Sequence, residues 1–86
     1  MKVYYSERFA SKYKKLPREI KLIMRVRQKI FFDNPFDPKL KTHKLTGKLG
    51  DYCAFSVNRK YRIIFEFIGK ETIRLYSVGT HDIYKN

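Results

Sequence analysis

Apolar residues in the first part of the chain recur at the spacing of an α-helix, after a short run with the character of a strand. Residues 2–5, Lys-Val-Tyr-Tyr, predict a first β-strand. Ser6 follows as a suitable N-cap. Phe9, Tyr13 and Leu16 then fall on one helical face. We therefore predict a strand that leads directly into a first helix.

A second helix is predicted to begin at Pro17 and to end before Asp33. Proline is favoured as the first helical residue because its missing N–H would be unpaired there anyway. An apolar stripe runs along one face of this segment, formed by Ile20, Ile23, Met24, Ile30 and Phe31. The breakers that follow, Asp33-Asn34-Pro35-Phe36-Asp37-Pro38, end the pattern. The two helices, joined at Leu16-Pro17, are expected to form a hairpin.

The second half of the chain changes to a period of two. The runs 52–57, 61–68 and 72–78 are rich in β-branched and aromatic residues, and short turns separate them. Three-residue turns would place Phe55 opposite Ile63 and Phe65 opposite Leu75. One sheet face is then almost wholly apolar: Cys53, Phe55, Val57, Tyr61, Ile63, Phe65, Phe67, Ile73 and Leu75. The helical hairpin must cover this face.

The opposite face of the predicted sheet is mixed. Glu66 is expected to lie opposite Arg74, a cross-strand pair worth at most about 1 kcal/mol. Arg62 is expected to lie between Ser56 on one side and Val78 on the other. The predicted order is β-α-α-β-β-β, an α+β fold in which a helical hairpin packs on one face of an antiparallel sheet.

Length and charge narrow the possible functions. Eighty-six residues make one small domain, 1–86. The 20 Lys and Arg against 8 Asp and Glu give a net charge of +12, which favours nucleic acid as the partner, then an acidic protein, then a lipid surface. A basic surface without a partner is the alternative. We find no membrane span or secretion signal, and we expect a cytoplasmic protein. The single cysteine, Cys53, excludes an internal disulfide and a cysteine zinc cluster, and we interpret it as a core residue.

Two histidines and one arginine are the candidate catalytic residues. The register puts the end of the last strand, just before His81, beside Arg62, and His43 lies in the loop before the sheet. An imidazole can act as general acid or base near neutral pH. Arg62 can hold a phosphate bidentately over an open floor left by the small side chains of Ala54 and Ser56. This set suits cleavage of RNA by its own 2′-OH, which needs no metal and no cofactor. Alternatively, the three are ordinary surface groups.

Other residues are candidate RNA contacts. They are the basic side chains Lys44, Lys48, Arg59 and Lys60 and the aromatic Tyr84, which can stack on a base or cap the sheet edge. The alternative is that the lysines are ordinary solvated loop residues. Two histidines and few carboxylates at no recognised spacing predict no metal site.

Several motifs in order resemble those of a known family. They are the Leu16-Pro17 junction, Asn34-Pro35, His43-Lys44-Leu45-Thr46-Gly47, Tyr61-Arg62-Ile63-Ile64-Phe65 and the closing Gly79-Thr80-His81-Asp82-Ile83-Tyr84. Over essentially its whole length the chain resembles the RelE/ParE toxin superfamily of bacterial toxin–antitoxin systems, and within it the RelE/StbE and YafQ-like mRNA interferases. The resemblance implies a ribonuclease without metal that usually cleaves mRNA in the ribosomal A site.

The resemblance also assigns roles to particular residues. His81 matches the terminal histidine that serves as general acid or base, and His43 matches a second histidine of the YafQ-like branch. Arg62 matches the arginine that binds the scissile phosphate, and Tyr84 matches a C-terminal aromatic position. The identity of the general base is left open: it is either His43 or a lysine with a lowered pKa, such as Lys44 or Lys48.

A partner and two alternatives complete the expectations. The family implies an antitoxin as partner, which should be acidic and should wrap the basic surface of the toxin. Contact with DNA is then expected only indirectly, through the toxin–antitoxin complex. A ParE-type toxin that inhibits DNA gyrase and cleaves nothing is the first alternative. The pair of His81 and Arg62 separates the two hypotheses, because a ParE-type toxin does not need these residues. A non-enzymatic RNA-binding module is the second.

Overall fold

The structure, a computed structural model, describes residues 1–80, so His81 and Tyr84 lie outside the described residues. It contains two helices, α1 (Glu7–Lys14) and α2 (Arg18–Asp33). Its strands are β1 (Lys2–Tyr5), β2 (His43–Lys44), β3 (Cys53–Ser56), β4 (Arg62–Gly69) and β5 (Thr72–Gly79). Short 3₁₀ turns cover Pro38–Leu40 and Gly47–Leu49. The α+β class and the element order predicted from the sequence are confirmed, with one additional short strand.

The sheet is mixed, whereas the sequence predicted an antiparallel one. Its strand order is β1-β5-β4-β3-β2, in which β1 runs parallel to β5 and the other neighbours are antiparallel. A tight turn forces antiparallel pairing on the strands that it joins. No such turn joins β1 to β5, because the helices and three strands separate them along the chain. Their relative direction is therefore set by the packing of the whole molecule.

Helix α1 begins at the predicted cap. The Ser6 hydroxyl accepts a hydrogen bond from the Phe9 N–H at 3.0 Å and donates one to the Tyr76 carbonyl at 2.5 Å. One side chain thus starts the helix and ties it to β5. Helix α2 begins one residue later than predicted, at Arg18, with Pro17 as its N-cap, and it includes Asp33.

Ser6→Ala is expected to lower the free energy of unfolding by about 1–2 kcal/mol, because it removes both the helix cap and the bond to Tyr76. Urea denaturation followed by circular dichroism measures this loss. Ser11→Ala, an exposed change in the middle of the same helix, is the matched control, and we expect it to change stability by about 0.5 kcal/mol or less. Equal effects of the two substitutions would contradict the capping role.

The core lies between the helices and one face of the sheet. Its fully buried members are Met24 and Phe31 from α2, Leu40 from the loop, Val57 directly after β3, and Phe55, Ile63, Phe65, Ile73, Leu75 and Val78 from the sheet. The predicted pairs Phe55–Ile63 and Phe65–Leu75 are observed, and the pairs Cys53–Phe65 and Phe67–Ile73 continue the same register. The prediction of which sheet face the helices cover is therefore confirmed.

Two residues depart from the predicted core. Phe67 is 44% exposed, because β4 continues past the buried part of the core, and its ring stacks on Phe36. Ile23, predicted in the apolar stripe of α2, is 37% exposed, while Met24 beside it is fully buried. The face of α2 that is buried against the sheet is therefore narrower than the sequence pattern predicted.

A β-bulge at Tyr76 shifts the register of β4 with β5, so the register predicted beyond the middle of β5 is wrong by one residue. Phe65 pairs with Leu75, but the preceding residue Ile64 pairs with Ser77, so Tyr76 has no partner across the strand. An extra residue in one strand shifts every later residue by one position. As a result Arg62 lies opposite Gly79 instead of Val78, which turns into the core.

Candidate functional site

The sheet face turned away from the helices carries the candidate catalytic arginine. We call it the outer face and define it by Ser56, Arg62, Ile64, Glu66 and Arg74. Residues paired across antiparallel strands point to the same side of a sheet. One row of this face is Ser56, Arg62 and Gly79, and the next is His43, Ala54, Ile64 and Ser77. The outer face thus brings His43 and Arg62 to the same side of the molecule.

The Arg62 guanidinium is held by the turn between β3 and β4. Its Nη1 lies 2.6 Å from the Asn58 carbonyl oxygen, 3.0 Å from that of Tyr61 and 3.2 Å from that of Arg59. The turn is itself ordered, because Asn58 Oδ1 accepts hydrogen bonds from the Lys60 and Tyr61 N–H groups.

This anchoring leaves part of the guanidinium available. A guanidinium has five N–H donors, and within residues 1–80 all the hydrogen bonds of the Arg62 side chain come from Nη1. Nε and Nη2 are therefore available to an external acceptor. Two parallel N–H donors in one plane match two oxygens of a phosphate. A positioned guanidinium of this kind can bind a phosphodiester bidentately.

His43 is exposed and lies on β2, not in the loop where the sequence placed it. Its Nδ1 is 3.0 Å from the Lys41 carbonyl oxygen. A carbonyl only accepts, so Nδ1 must carry the proton, and in the neutral ring Nε2 is then the free acceptor. His43 lies on β2, which is two strands away from β4, and it belongs to the row next to that of Arg62. The Cα atoms of His43 and Arg62 are therefore about 12 Å apart. The two side chains can reach a common substrate, but they do not contact each other.

The candidate RNA contacts are placed differently from one another. Arg59 and Lys60 are exposed in the β3–β4 turn beside Arg62, and Lys48 is exposed in the Gly47–Leu49 turn. Lys44 pairs with Cys53, so it lies on the side of β2 opposite to His43. The structure therefore groups Arg59 and Lys60 with Arg62 and separates Lys44 from the outer face.

Cys53 packs against the core, as the sequence indicated. Burial raises the pKa of its thiol, and the nearby Lys44 ammonium opposes this only in part. A thiol with a raised pKa is a poor nucleophile at neutral pH. Cys53 therefore has a packing role in this fold.

The floor beside Arg62 is less open than the sequence suggested. Ala54 and Ile64 are fully buried and Ser77 is 2% exposed, although all three belong to the outer face. Ser56, next to Arg62, is half-buried. The bulge at Tyr76 places Ser77 opposite Ile64 on this face, where regular pairing would place Tyr76. The row of the outer face formed by Ala54, Ile64 and Ser77 is therefore closed, while Ser56 and Arg62 in the next row are partly exposed.

The other end of the outer face is aromatic. Tyr52 and Tyr76 stack with their ring centroids 4.6 Å apart, and the Arg8 guanidinium lies 5.4 Å from the Tyr76 centroid. The predicted pair of Glu66 and Arg74 is present, and the hydrogen bonds that the Arg74 guanidinium donates to the Glu66 carboxylate raise the pKa of Arg74. These contacts fix the side chains of this end against one another.

Three basic residues near Arg62 were missed by sequence reasoning. Arg27 comes from α2, and Lys39 and Lys41 come from the segment that follows it. The only feature of the sequence that pointed to these three residues was the basic character of α2 and of the segment after it. Among the described residues, no group of three or more histidine, cysteine or acidic side chains could hold a metal ion. None of the described helices is long and apolar enough to cross a membrane.

Two comparisons by sequence find no relative. The chain matches no known protein-family profile, and it matches no curated protein.

Comparison of the structure with solved structures identifies the fold. Two helices on one face of a five-stranded mixed sheet, with this strand order, make the fold of the RelE-like toxins. YafQ from Escherichia coli BL21(DE3) superposes with a TM-score of 0.81 at 17% identity, covering 98% of this chain and 97% of that one. A YoeB/ParE toxin from Agrobacterium tumefaciens gives 0.79 at 14% identity, covering 94% and 99%.

A third structure is that of the E. coli DinJ–YafQ toxin–antitoxin complex, with a TM-score of 0.78 at 17% identity, covering 98% of this chain and 96% of that chain. The resemblance drawn from the sequence motifs is thus confirmed at the level of the fold, over nearly the whole length of both chains.

Proposed function

We propose that this protein is the toxin of a type II toxin–antitoxin pair and that it cleaves mRNA as an endoribonuclease on the ribosome. The observation that carries the proposal is the anchored guanidinium of Arg62, whose Nε and Nη2 donate no hydrogen bond within residues 1–80. The net charge of +12 supports a polyanionic substrate. The shared fold with YafQ and with a YoeB/ParE toxin supports the toxin assignment.

The proposed reaction uses the substrate's own 2′-hydroxyl. A general base removes the 2′-OH proton, the 2′ oxygen attacks the adjacent phosphorus, and the bond from phosphorus to the 5′ oxygen breaks. The products are a 2′,3′-cyclic phosphate and a 5′-hydroxyl, which receives a proton from a general acid. Arg62 holds the non-bridging oxygens and stabilises the negative charge that grows on them in the transition state.

The proton transfers are assigned to histidines. His81 follows Gly79 by two residues in the sequence, and Gly79 pairs with Arg62, which supports His81 as the general acid or base at that phosphate. His43 Nε2 is a suitable acceptor for the 2′-OH proton when Nδ1 donates to Lys41. Lys44 is the weaker candidate base because of its position on the other side of β2, and Lys48 remains a second alternative. Tyr84 is proposed as a stacking contact for a base.

The proposed partner is an acidic antitoxin encoded with the toxin. Its charge would neutralise the basic surface and its chain would block access to Arg62. The structural relative solved as a toxin–antitoxin complex supports such a partner. DNA contact is then a property of the complex, and we place the activity in the cytoplasm, where mRNA and ribosomes are.

The purified protein is expected to cleave mRNA in the presence of ribosomes, and the cleavage should persist in EDTA because the proposed groups need no metal. Primer extension locates the cut, and a 2′,3′-cyclic phosphate end identifies the chemistry. DNA gyrase supercoiling, assayed in parallel, tests the ParE-type alternative. Inhibition of gyrase without any RNA cleavage would replace the proposed function with that alternative. RNA binding with neither activity would leave the non-enzymatic module.

A further inference from the structure

A basic cavity opens at the end of the sheet where β3 turns into β4. Its volume is about 450 Å³, and it is lined by the side of α2, the following loop and the turn that holds Arg62. Five basic residues border it: Arg27, Lys39, Lys41, Arg59 and Arg62. No carboxylate is among the described residues that line it.

The cations of this cavity are not neutralised from within the described chain. Within residues 1–80 the one ion pair between side chains is Arg74 with Glu66, which does not border the cavity. Clustering five positive charges costs self-repulsion in the folded state. Such an arrangement is relieved when an anion binds, because each cation then gains an opposite charge at short range.

Hydrogen bonds from side chains to backbone carbonyls order each wall of the cavity. Arg27 Nη1 donates to the Lys39 carbonyl at 3.1 Å, which joins α2 to the loop. The loop turns sharply at Lys41, which has a φ of 53° and closes the short 3₁₀ turn. Arg62 is held by the carbonyls of the opposite wall. The cations are thus presented by segments that hydrogen bonds hold in place.

We infer that this cavity binds the RNA backbone phosphate next to the one held by Arg62, with Arg27, Lys39 and Lys41 as its contacts. The inference rests on the proposed function, since it extends the site of Arg62 by one nucleotide. The cavity volume falls in the range of about 300–1,000 Å³ typical of small-ligand sites, which suits one nucleotide unit. Arg62 borders both sites, so an RNA strand can pass from one to the other without leaving the protein surface.

The test measures RNA binding separately from cleavage. The probe is a short single-stranded RNA with 2′-O-methyl riboses, which lacks the attacking hydroxyl, titrated between about 50 and 200 mM salt. The variant Lys39→Gln/Lys41→Gln is expected to bind about tenfold or more weakly at low salt. Its log affinity should depend less steeply on log salt, by about 0.7 for each lost phosphate contact. Arg27→Gln alone is expected to act in the same direction.

The matched control is Lys29→Gln/Lys70→Gln, which removes the same charge from exposed positions that do not border the cavity. If the cavity variant and this control behave alike while the wild type still cleaves mRNA, the inference fails and the proposed function stands. If the wild type neither binds nor cleaves RNA, the proposed function itself fails. A fluorescent oligoglutamate peptide tests an acidic protein as the alternative ligand of the cavity. If Lys39→Gln/Lys41→Gln loses peptide binding while its RNA binding is unchanged, the cavity is assigned to an acidic protein and the inference is overturned.

Discussion

Replacing Arg62 with glutamine is expected to slow mRNA cleavage by about 100-fold or more, the effect usual for removing one group that stabilises transition-state charge. Glutamine keeps a donor near the turn carbonyls but loses the positive charge and the paired donors of the guanidinium. Single-turnover cleavage with excess protein isolates the chemical step from substrate binding. Arg62→Lys, which retains the charge but not the planar fork, should recover only a small part of the rate.

The charge-matched control for this prediction is Arg25→Gln on the exposed side of α2, which should keep nearly the full rate. Thermal unfolding of both variants checks that the turn beside Arg62 still folds. A cleavage rate for Arg62→Gln within a few-fold of the control, with the fold intact, would remove Arg62 from the mechanism. That result would also remove the main support for a nuclease.

Phe31→Ala is expected to lower the free energy of unfolding by about 3–5 kcal/mol, because it empties the centre of the core. The Phe31 ring stacks on Phe55 at 4.5 Å between centroids and meets Phe65 edge-on at 4.8 Å. These contacts join α2 to β3 and β4. Since small domains are stable by only about 5–15 kcal/mol, the variant loses a large share of its stability. Urea denaturation monitored by circular dichroism measures the change.

The next residue along the helix provides the control for this second prediction. Phe32 is 36% exposed and meets Phe31 only at its edge, so Phe32→Ala should cost clearly less than half as much. If the two substitutions destabilise equally, the stacked contact between α2 and the sheet is not the main support of the core.

Most of the fold could be predicted because its signals are local. The alternation through 52–57, 61–68 and 72–78, with short turns between the runs, predicted the pairing of β3 with β4 and of the later part of β4 with the first part of β5. Ser6 marked the start of α1 correctly because capping depends on a few neighbouring residues. The direction of β1 and the bulge at Tyr76 could not be predicted, since both depend on contacts between distant parts of the chain.

The candidate site was predictable only in part for the same reason. Arg62 could be assigned to the outer face from the period of its strand, and it is observed there. His43 was expected in a loop and lies instead on an edge strand, which orients Nδ1 toward Lys41. Arg27 and Lys41 could not be connected to Arg62 from the sequence, because they belong to different elements.

The amino-acid sequence alone determined the α+β class, the apolar face of the sheet, the strongly basic charge and the position of Arg62 on the opposite face. These follow from the spacing of residues along single elements, where side-chain direction is set by the helical or strand period. The tertiary structure decided the parallel edge strand, the shift that brings Gly79 beside Arg62 and the gathering of five cations around one cavity. Those features depend on how the elements pack together, and the physical cause is that charges and backbone groups far apart in the chain become neighbours only when the core forms.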